Sequence, residues 1–280
     1  MSPQITAGDP AFNSIRYLPT NEAYDKWAKV YDSDGNFLQA LDDIELGTLF
    51  PRFVASIKTP QPWRLVDLGC GTGRNTAHLL SLADNDETEI VALDASQGML
   101  DVARTRLSAL TNNTTNLRLE IFDMLTPTPS TTDKTPTSVA PNSVDGLIST
   151  LVIEHVPLAT FFAHVGRLLR PGGVLLLTNM HADMGAVSQA GFVDPETREK
   201  IRPTSYAHTV ADVVREARKC GLEVEVEDDG DDEQGVGVGI TERAVSEDMV
   251  EMLGLRSKKW VGVTCWFGGI FRKVDVHLSG

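Results

Sequence analysis

Residues 65–74, with the sequence LVDLGCGTGR, constrain the fold more than any other part of the chain. A short apolar run predicts a buried strand, three glycines follow at alternate positions, and a helical stretch begins directly afterwards. Glycine tolerates the positive φ of a tight turn and lets backbone amides approach a bound molecule closely. A strand, a glycine turn and a helix in this order are typical of the first βα unit of a nucleotide-binding sheet.

The spacing of the glycines and the acid that precedes them indicate which kind of ligand the turn favours. Gly69, Gly71 and Gly73 form G-x-G-x-G, whereas a dinucleotide turn has G-x-G-x-x-G, its third glycine serving close helix packing around a pyrophosphate. Asp67 precedes the glycines and would repel an anion. The turn therefore favours a ligand that carries positive charge over a pyrophosphate.

Strands and helices alternate from residue 63 onward. The predicted strands are 63–68, 90–93, 117–122, 144–148 and 173–178, separated by predicted helices at 75–83, 96–110 and 158–169. This alternation indicates parallel strands joined by right-handed crossovers, with helices on both faces of the sheet. Two late strands, 222–227 and 261–274, lack a regular helical crossover and predict an antiparallel pair at the sheet edge. We therefore predict a doubly wound α/β sheet of seven strands, mostly parallel, with an antiparallel edge strand.

The N-terminal region predicts a helical addition to this sheet. Tyr24, Trp27, Ala28 and Tyr31 recur at the spacing of one helix face, and a second helix is predicted at 38–50. Pro51 is expected to end or kink that second helix, because proline cannot donate the next backbone hydrogen bond.

The remaining segments suggest how the chain is organised. Residues 179–208 are too long for a routine connection, and loops of that length are usually functional. We predict a flexible tail at 1–20 and a single domain at 21–280, composed of a helical lid (21–58), a ligand-binding core (63–178), a cap insertion (179–208) and a C-terminal helix with edge strands (209–280).

Charge and cysteine content exclude several classes of partner. The 280 residues carry a net charge of −14, which argues against binding of a nucleic-acid backbone as the main function. No apolar run approaches the roughly 18 residues of a membrane span, and the first residues lack the profile of a signal peptide. Three scattered cysteines predict neither a disulfide framework nor a zinc site. We expect a cytoplasmic protein whose partner is not a nucleic acid; the sequence does not indicate an oligomeric state.

Further polar residues follow predicted strands, where ligands bind in open α/β sheets. Asp94 ends the second strand, and a carboxylate there accepts hydrogen bonds from ribose hydroxyls. Asp123 and Met124 follow the third strand, an arrangement suited to an exocyclic amine and an adenine face. His155 follows the fourth strand and His181 the fifth, and we take both as candidate general bases because histidine titrates near neutral pH.

With these residues in order, the chain resembles the class I S-adenosylmethionine-dependent methyltransferases. The resemblance covers residues 24–180 and rests on DLGCGTG, Asp94, the FDM that ends in Met124, and STLVIEHV at 149–156. The VIEHV part is similar to ubiquinone-pathway small-molecule O-methyltransferases. The segments YDKWAKVYD and RSKKWVGVTCWFG are similar to fungal methyltransferases of specialised metabolism. The resemblance implies a Rossmann-like form of the predicted sheet.

The resemblance also implies which residues bind S-adenosylmethionine. The methionine part would be held by Gly69, Cys70, Gly71 and Gly73 of the turn, by Asp67 at the ammonium and by Thr150 at the methionyl amine. The adenosine part would be held by Asp94 at the ribose, Ala95 and Met99 near the adenine, and Asp123 and Met124 at its edge and face. Tyr24 and Tyr31 would close over the cofactor as lid residues.

The expected activity is methyl transfer to an O, N or S atom of a small-molecule acceptor, achieved mainly by positioning the reactants in line. The same cofactor residues are compatible with a protein or peptide methyltransferase. They are also compatible with a regulator that binds the cofactor without turning it over.

Overall fold

A computed structural model describes residues 14–83, 87–111, 116–126, 135–226 and 239–274. Residues 1–13 of the predicted tail lie outside these ranges. The Thr/Pro/Ser-rich segment 127–142, which the sequence predicts to be a surface loop, is described only from residue 135, and the acidic run at 228–233 also lies outside the described residues. The helices are α1 (Thr20–Trp27), α2 (Phe37–Ser56), α3 (Arg74–Leu80), α4 (Gln97–Ser108), α5 (Leu158–Leu168), α6 (Ala182–Val187), α7 (Val210–Lys219) and α8 (Val250–Leu253). None of the helices within the described ranges is long and apolar enough to cross a membrane.

The core of the molecule is one mixed sheet. Its strands are β2 (Arg64–Leu68), β3 (Glu89–Asp94), β4 (Asn116–Ile121), β5 (Val144–Thr150), β6 (Leu169–Met180), β9 (Leu222–Val224), β10 (Ile240–Ala244) and β11 (Thr264–Lys273). They run in the order β10-β11-β6-β5-β2-β3-β4, and β9 also pairs with β11. The five strands from β4 to β6 are parallel, whereas β11 is antiparallel to β6, β9 and β10.

The doubly wound sheet and its antiparallel edge agree with the prediction, but the strand count does not. The sheet has eight strands in the described residues instead of seven, because residues 240–244 form β10. Every residue of β10 is at least partly exposed, so it lacks the apolar run that predicts a buried strand.

Alternate residues of each central strand pack on opposite faces of the sheet. On β6, Leu175 and Leu177 belong to one apolar cluster with residues of α5 and α7. Val174 and Leu176 belong to a second cluster with residues of α2. Helices therefore cover both faces, as expected for a sheet whose central strands are buried on both sides.

Pro51 was expected to end or kink helix α2, and the helix does not end there, because it continues through Pro51 to Ser56. Phe53, in the continued part, is fully buried, and its ring fills the space that a side chain at Gly146 would occupy. Burying a phenylalanine contributes about 1.5–3 kcal/mol, which favours the longer helix despite the missing backbone hydrogen bond.

A second, small sheet joins the N-terminus to the insertion after β6. Strand β1 (Ile15–Tyr17) pairs in parallel with β8 (Lys200–Arg202), which pairs with β7 (Phe192–Val193). The predicted flexible tail at 1–20 is therefore wrong for residues 15–17. The pairing fixes the start of α1 against the insertion, beside the carboxyl ends of the central strands.

Candidate active site

A cavity of about 280 Å³ lies at the carboxyl ends of β2, β3 and β5, beneath α1. Ligands bind at this edge in open α/β sheets. The predicted residues that line it are Tyr24, Tyr31, Gly69, Gly71, Asp94, Ala95, Asp123, Met124, Thr150 and His155. The fold thus brings ten of the predicted positions to one cavity from five segments of the chain, 24–31, 69–71, 94–95, 123–124 and 150–155.

The glycine turn forms the floor of this cavity, and two of its glycines need their residue type for different reasons. At Gly69, φ is +78° and a Cβ atom would lie 2.3 Å from Cγ2 of Val152, so no side chain fits. At Gly71, φ is +53° and no atom lies within 4 Å of a Cβ position, which leaves this part of the cavity open. The turn therefore exposes backbone to the cavity, as a closely bound ligand requires.

Asp94 is fixed beside the turn by backbone donors. Its Oδ2 accepts a hydrogen bond of 2.8 Å from the Gly71 amide, and its Oδ1 accepts one of 2.8 Å from the Ser96 amide. Burial nevertheless raises the pKa of Asp94 to about 6, against the lowering effect of these two bonds. The carboxylate is ionised at neutral pH. The free-energy cost of burying this charge falls when a cation or hydroxyl donors approach it.

The opposite wall of the cavity follows β4. Asp123 accepts hydrogen bonds from the Leu125 amide at 2.8 Å and from the Thr126 hydroxyl at 3.0 Å, which fix its side chain. Met124 lies next to it and packs against the core. An acid and a flexible apolar side chain thus face the same cavity as Asp94.

Helix α1 covers the cavity because a carboxylate holds it against α4. Oδ1 of Asp25 accepts hydrogen bonds from the Ser96 hydroxyl at 2.6 Å and from the Gly98 amide at 2.8 Å. An acid is favoured at a helix N-terminus, where backbone amides lack partners. Asp25 lies beside the predicted aromatic stripe, but the spacing of the aromatic residues does not predict a role for this acid.

Tyr24 and His155 meet above the cavity. The Tyr24 hydroxyl lies 2.8 Å from Nε2 of His155, and Nδ1 of His155 lies 2.6 Å from the Thr204 carbonyl oxygen. A carbonyl only accepts, so Nδ1 donates, and in the neutral ring Nε2 then accepts from the Tyr24 hydroxyl. Both ring nitrogens thus have protein partners, and a general base at Nε2 requires Tyr24 to move away.

The structure places three residues of the glycine motif outside the cavity wall. Asp67 is 1% exposed and accepts a 2.6 Å hydrogen bond from Thr76, and burial raises its pKa to about 7. Cys70 packs in an apolar cluster under the turn. A Cβ at Gly73 would approach Leu107 to 3.1 Å, so this glycine allows α4 to pack closely. These three positions shape the turn.

Two further predicted residues lie elsewhere. Met99 is fully buried and packs against Ala23 and Trp27, so it holds α1 against α4 and does not line the cavity. His181 accepts from the Asp183 amide at the start of α6 and lies 3.3 Å from Glu242. Its two contacts explain its position as a helix cap, and it does not line the cavity.

A second cavity of about 90 Å³ adjoins the first and shares Tyr24, Tyr31 and Leu151 with it. We call it the inner chamber. Its other walls come from α2, the insertion and the turn at Leu255–Trp260, and they include Glu154, Lys200, Arg256 and Lys259. None of these four was selected from the sequence, although three basic residues in RSKKW are unusual in an acidic chain.

Comparisons with known proteins assign the family. A family model described as a methyltransferase domain matches residues 66–175. Methyltransferase AN0656 of Emericella nidulans is 47% identical over 277 residues, which cover 93% of each protein. A trans-aconitate 2-methyltransferase of Methylobacterium radiotolerans is 32% identical over 146 residues, covering 49% of this chain and 48% of the relative.

Solved structures share the fold at low sequence identity. An S-adenosylmethionine-dependent methyltransferase from Mesorhizobium loti has a TM-score of 0.51 at 19% identity, covering 79% of this chain and 96% of that one. Haemonchus contortus phosphoethanolamine N-methyltransferase 2, solved with S-adenosylhomocysteine, has a TM-score of 0.55 at 16% identity, covering 91% and 58%. The [4+2]-cyclase SpnF has a TM-score of 0.58 at 14% identity, covering 94% and 99%, so the fold alone does not determine the activity.

The family model, the near full-length relative and the cavity at the glycine turn agree with one another. The cofactor of such enzymes is S-adenosylmethionine. The chain belongs to the class I S-adenosylmethionine-dependent methyltransferases.

Proposed function

We propose that the protein transfers a methyl group from S-adenosylmethionine to an O, N or S atom of a small-molecule acceptor. The observation that carries this proposal is the pair of adjoining cavities, which share Tyr24, Tyr31 and Leu151 as a common wall. The larger cavity holds the cofactor residues, and the inner chamber receives the acceptor. The two sites must adjoin because the acceptor atom has to reach the methyl carbon of the cofactor directly.

The residues of the larger cavity fit the cofactor. Gly71 leaves open space where a side chain would stand, and Asp94 and Asp123 supply carboxylates on two walls. We assign Gly69, Gly71 and Thr150 to the methionine part, Asp94 to the ribose, and Ala95, Asp123 and Met124 to the adenine. Asp67, Cys70, Gly73 and Met99 support this wall from behind.

When bound, the cofactor supplies a methyl group on a positively charged sulfur, which leaves as a neutral thioether as the acceptor's electron pair forms the new bond. The residues of the chain therefore need to provide little acid catalysis. Their main contribution is to hold both molecules in line, which is worth up to about 7–11 kcal/mol in well-oriented reactions. Tyr24, Tyr31 and His155 line this cavity, and the Tyr24 hydroxyl contacts the His155 ring.

The size and walls of the inner chamber support a small acceptor. Its volume is about 90 Å³, and residues of the insertion line it from one side, which favours a compact acceptor. Trans-aconitate, named for one group of relatives, is also a small molecule. We infer that residues 179–208 and the N-terminal helices form the acceptor site within a single domain.

The test is a search for the methylated product. The protein is incubated with a metabolite extract and methyl-labelled S-adenosylmethionine, and labelled products are identified by mass spectrometry. The proposal predicts labelled small molecules in the presence of the wild type and none with heat-denatured protein. Label found only in proteins would contradict it in favour of a protein methyltransferase. Tight cofactor binding without any labelled product would instead favour a regulator.

A further inference from the structure

Glu154, which lines the inner chamber, is a buried acid with an incomplete set of hydrogen bonds. The residue is 4% exposed, and its Oε2 has no hydrogen-bond partner among the described residues. Its Oε1 lies 3.8 Å from Nε2 of His155, a separation that is too long for a hydrogen bond. A buried polar atom without a partner is costly, so its presence at the wall of a binding chamber points to a ligand group that completes its hydrogen bonding.

The backbone before Glu154 directs this residue to the inner chamber. Leu151, directly after β5, has a φ of +56°, and its amide donates a 2.9 Å hydrogen bond to the Thr178 carbonyl. This left-handed conformation is disfavoured for leucine, and residues held in it cluster at functional sites. Leu151 lines both cavities, and the chain turns after it so that Glu154 lines the inner chamber whereas its neighbour His155 lines the larger cavity.

The insertion fixes the position of Glu154 from the other side. The Tyr206 amide donates a 2.7 Å hydrogen bond to the backbone carbonyl of Glu154, and the Thr204 carbonyl nearby bonds the ring of His155. The backbone is thus held in place, whereas the last side-chain bond of a glutamate rotates broadly and interchanges the two carboxyl oxygens. Either oxygen of Glu154 can therefore turn to a molecule in the chamber.

The other charged residues of the chamber already have partners within the protein. Asp34 accepts a hydrogen bond through each carboxylate oxygen, and Arg256 donates from Nη1 to the backbone carbonyl of Asp34 at 2.6 Å. Lys200 and Lys259 also interact with other groups of the protein. Among the described residues that line the chamber, Glu154 is therefore the one whose buried side chain has an oxygen without a partner.

We propose that Glu154 selects the methyl acceptor by accepting a hydrogen bond from a hydroxyl or amino group of the molecule bound in the inner chamber. This inference rests on the proposed function, since it names the acceptor chemistry of the same site. It holds for either protonation state of Glu154, because an ionised carboxylate accepts through both oxygens and a protonated carboxyl retains acceptor capacity. The methyl acceptor therefore carries an O–H or N–H group, and a fully ionised acid without such a group is not a substrate.

Variants of Glu154 test this role with a metabolite extract and methyl-labelled S-adenosylmethionine. The extract concentration that gives half-maximal labelling of the small-molecule product serves as an apparent KM. Glu154→Leu removes the accepting oxygens at similar size and should raise this KM about tenfold or more, whereas Glu154→Gln keeps one oxygen and should raise it less. Glu251→Gln changes an exposed glutamate of α8 that lines neither cavity, so its KM should stay within about twofold of the wild type.

Calorimetric titration of S-adenosylhomocysteine separates this role from a structural one. Glu154 does not line the larger cavity, so the dissociation constant should stay within about twofold of the wild type in all three variants, which also reports that each of them folds. An apparent KM for both Glu154 variants equal to that of Glu251→Gln would overturn the assignment, and so would an equal loss of cofactor affinity. Failure of the wild type to give any labelled small molecule from the extract would contradict the proposed function itself.

Trans-aconitate, named for some of the relatives, tests the acceptor chemistry on the wild type without any variant. At pH 8 its carboxyl groups are all ionised, so it has no O–H or N–H group to donate to Glu154. We expect no methyl ester when trans-aconitate is the sole acceptor, while the extract gives labelled product in the same assay. Methyl ester formation from trans-aconitate would overturn the selective role of Glu154 and would still support methyl transfer to a small molecule.

Discussion

The hydroxyl of Tyr24 lies 2.8 Å from Nε2 of His155, although 131 positions separate the two residues. Tyr24 belongs to α1, whereas His155 belongs to the short turn after β5, and Thr204 of the insertion bonds the other nitrogen of the same ring. One imidazole therefore joins three segments that surround the larger cavity. We infer that this ring holds the lid in place over the cofactor.

Replacing Tyr24 with phenylalanine should weaken cofactor binding. Tyr24→Phe keeps the aromatic packing but leaves Nε2 of His155 without its donor, so α1 should cover the cavity less firmly. The loss of one neutral hydrogen bond predicts a dissociation constant for S-adenosylhomocysteine about two- to tenfold higher, measured by calorimetry. Tyr17→Phe, which removes an exposed hydroxyl outside both cavities, is the control. An unchanged constant for Tyr24→Phe would show that the bond does not contribute to closing the site.

Replacing His155 with alanine should also remove the contact that holds α1 over the larger cavity. Because both ring nitrogens already have partners, His155→Ala should also raise the dissociation constant, and the double variant with Tyr24→Phe should be non-additive. Turnover should fall by less than about a hundredfold, the lower limit for losing a general base. If cofactor affinity stays intact while turnover falls further and its pH dependence disappears, His155 is instead the general base.

Asp67 should make the stability of the protein depend on pH. Its pKa is raised to about 7, mainly by burial, whereas the unfolded chain has the ordinary value near 4. Between these two pKa values the native state binds more protons than the unfolded state, so stability should fall as pH rises from about 4 to about 7. The folding advantage of the neutral carboxyl is present below this range and lost above it.

Denaturant unfolding of the wild type and Asp67→Asn at pH 5 and pH 8 measures this effect. The asparagine oxygen can still accept from Thr76 and carries no charge, so the variant should lose less stability between the two pH values than the wild type. Other titrating groups are common to both proteins and cancel in the comparison. An equal loss in the two proteins would show that Asp67 is ionised at no cost in the folded state.

The central sheet could be predicted because local patterns determine it. The apolar runs, the glycine turn and the acids at strand ends each carry their signal within a few residues, and most of the residues predicted to bind the cofactor line the larger cavity. Strand β10 was missed because its residues are partly exposed, and α2 passes Pro51 because the tertiary burial of Phe53 outweighs the local signal.

The inner chamber could not be predicted in the same way. The residues that line it come from distant segments of the chain, which are held together by the small sheet and by the contact of α1 with α4 through Asp25. The glycine motif also does not show which of its residues face the ligand and which of them shape the turn. Gly71 faces open space whereas Gly73 faces Leu107, and only the packing of α4 distinguishes them.

The pKa of Asp94, about 6, together with its place on the cavity wall, makes it the sharpest test of the cofactor site. The most direct measurement is calorimetric titration of S-adenosylmethionine into the wild type, Asp94→Asn and the exposed control Asp101→Asn. We expect one site per chain, binding at least about tenfold weaker in Asp94→Asn, and no change in Asp101→Asn. Wild-type affinity should also weaken below about pH 6, as Asp94 becomes protonated. Equal affinity in Asp94→Asn and the wild type would contradict the assignment of this cavity to the cofactor.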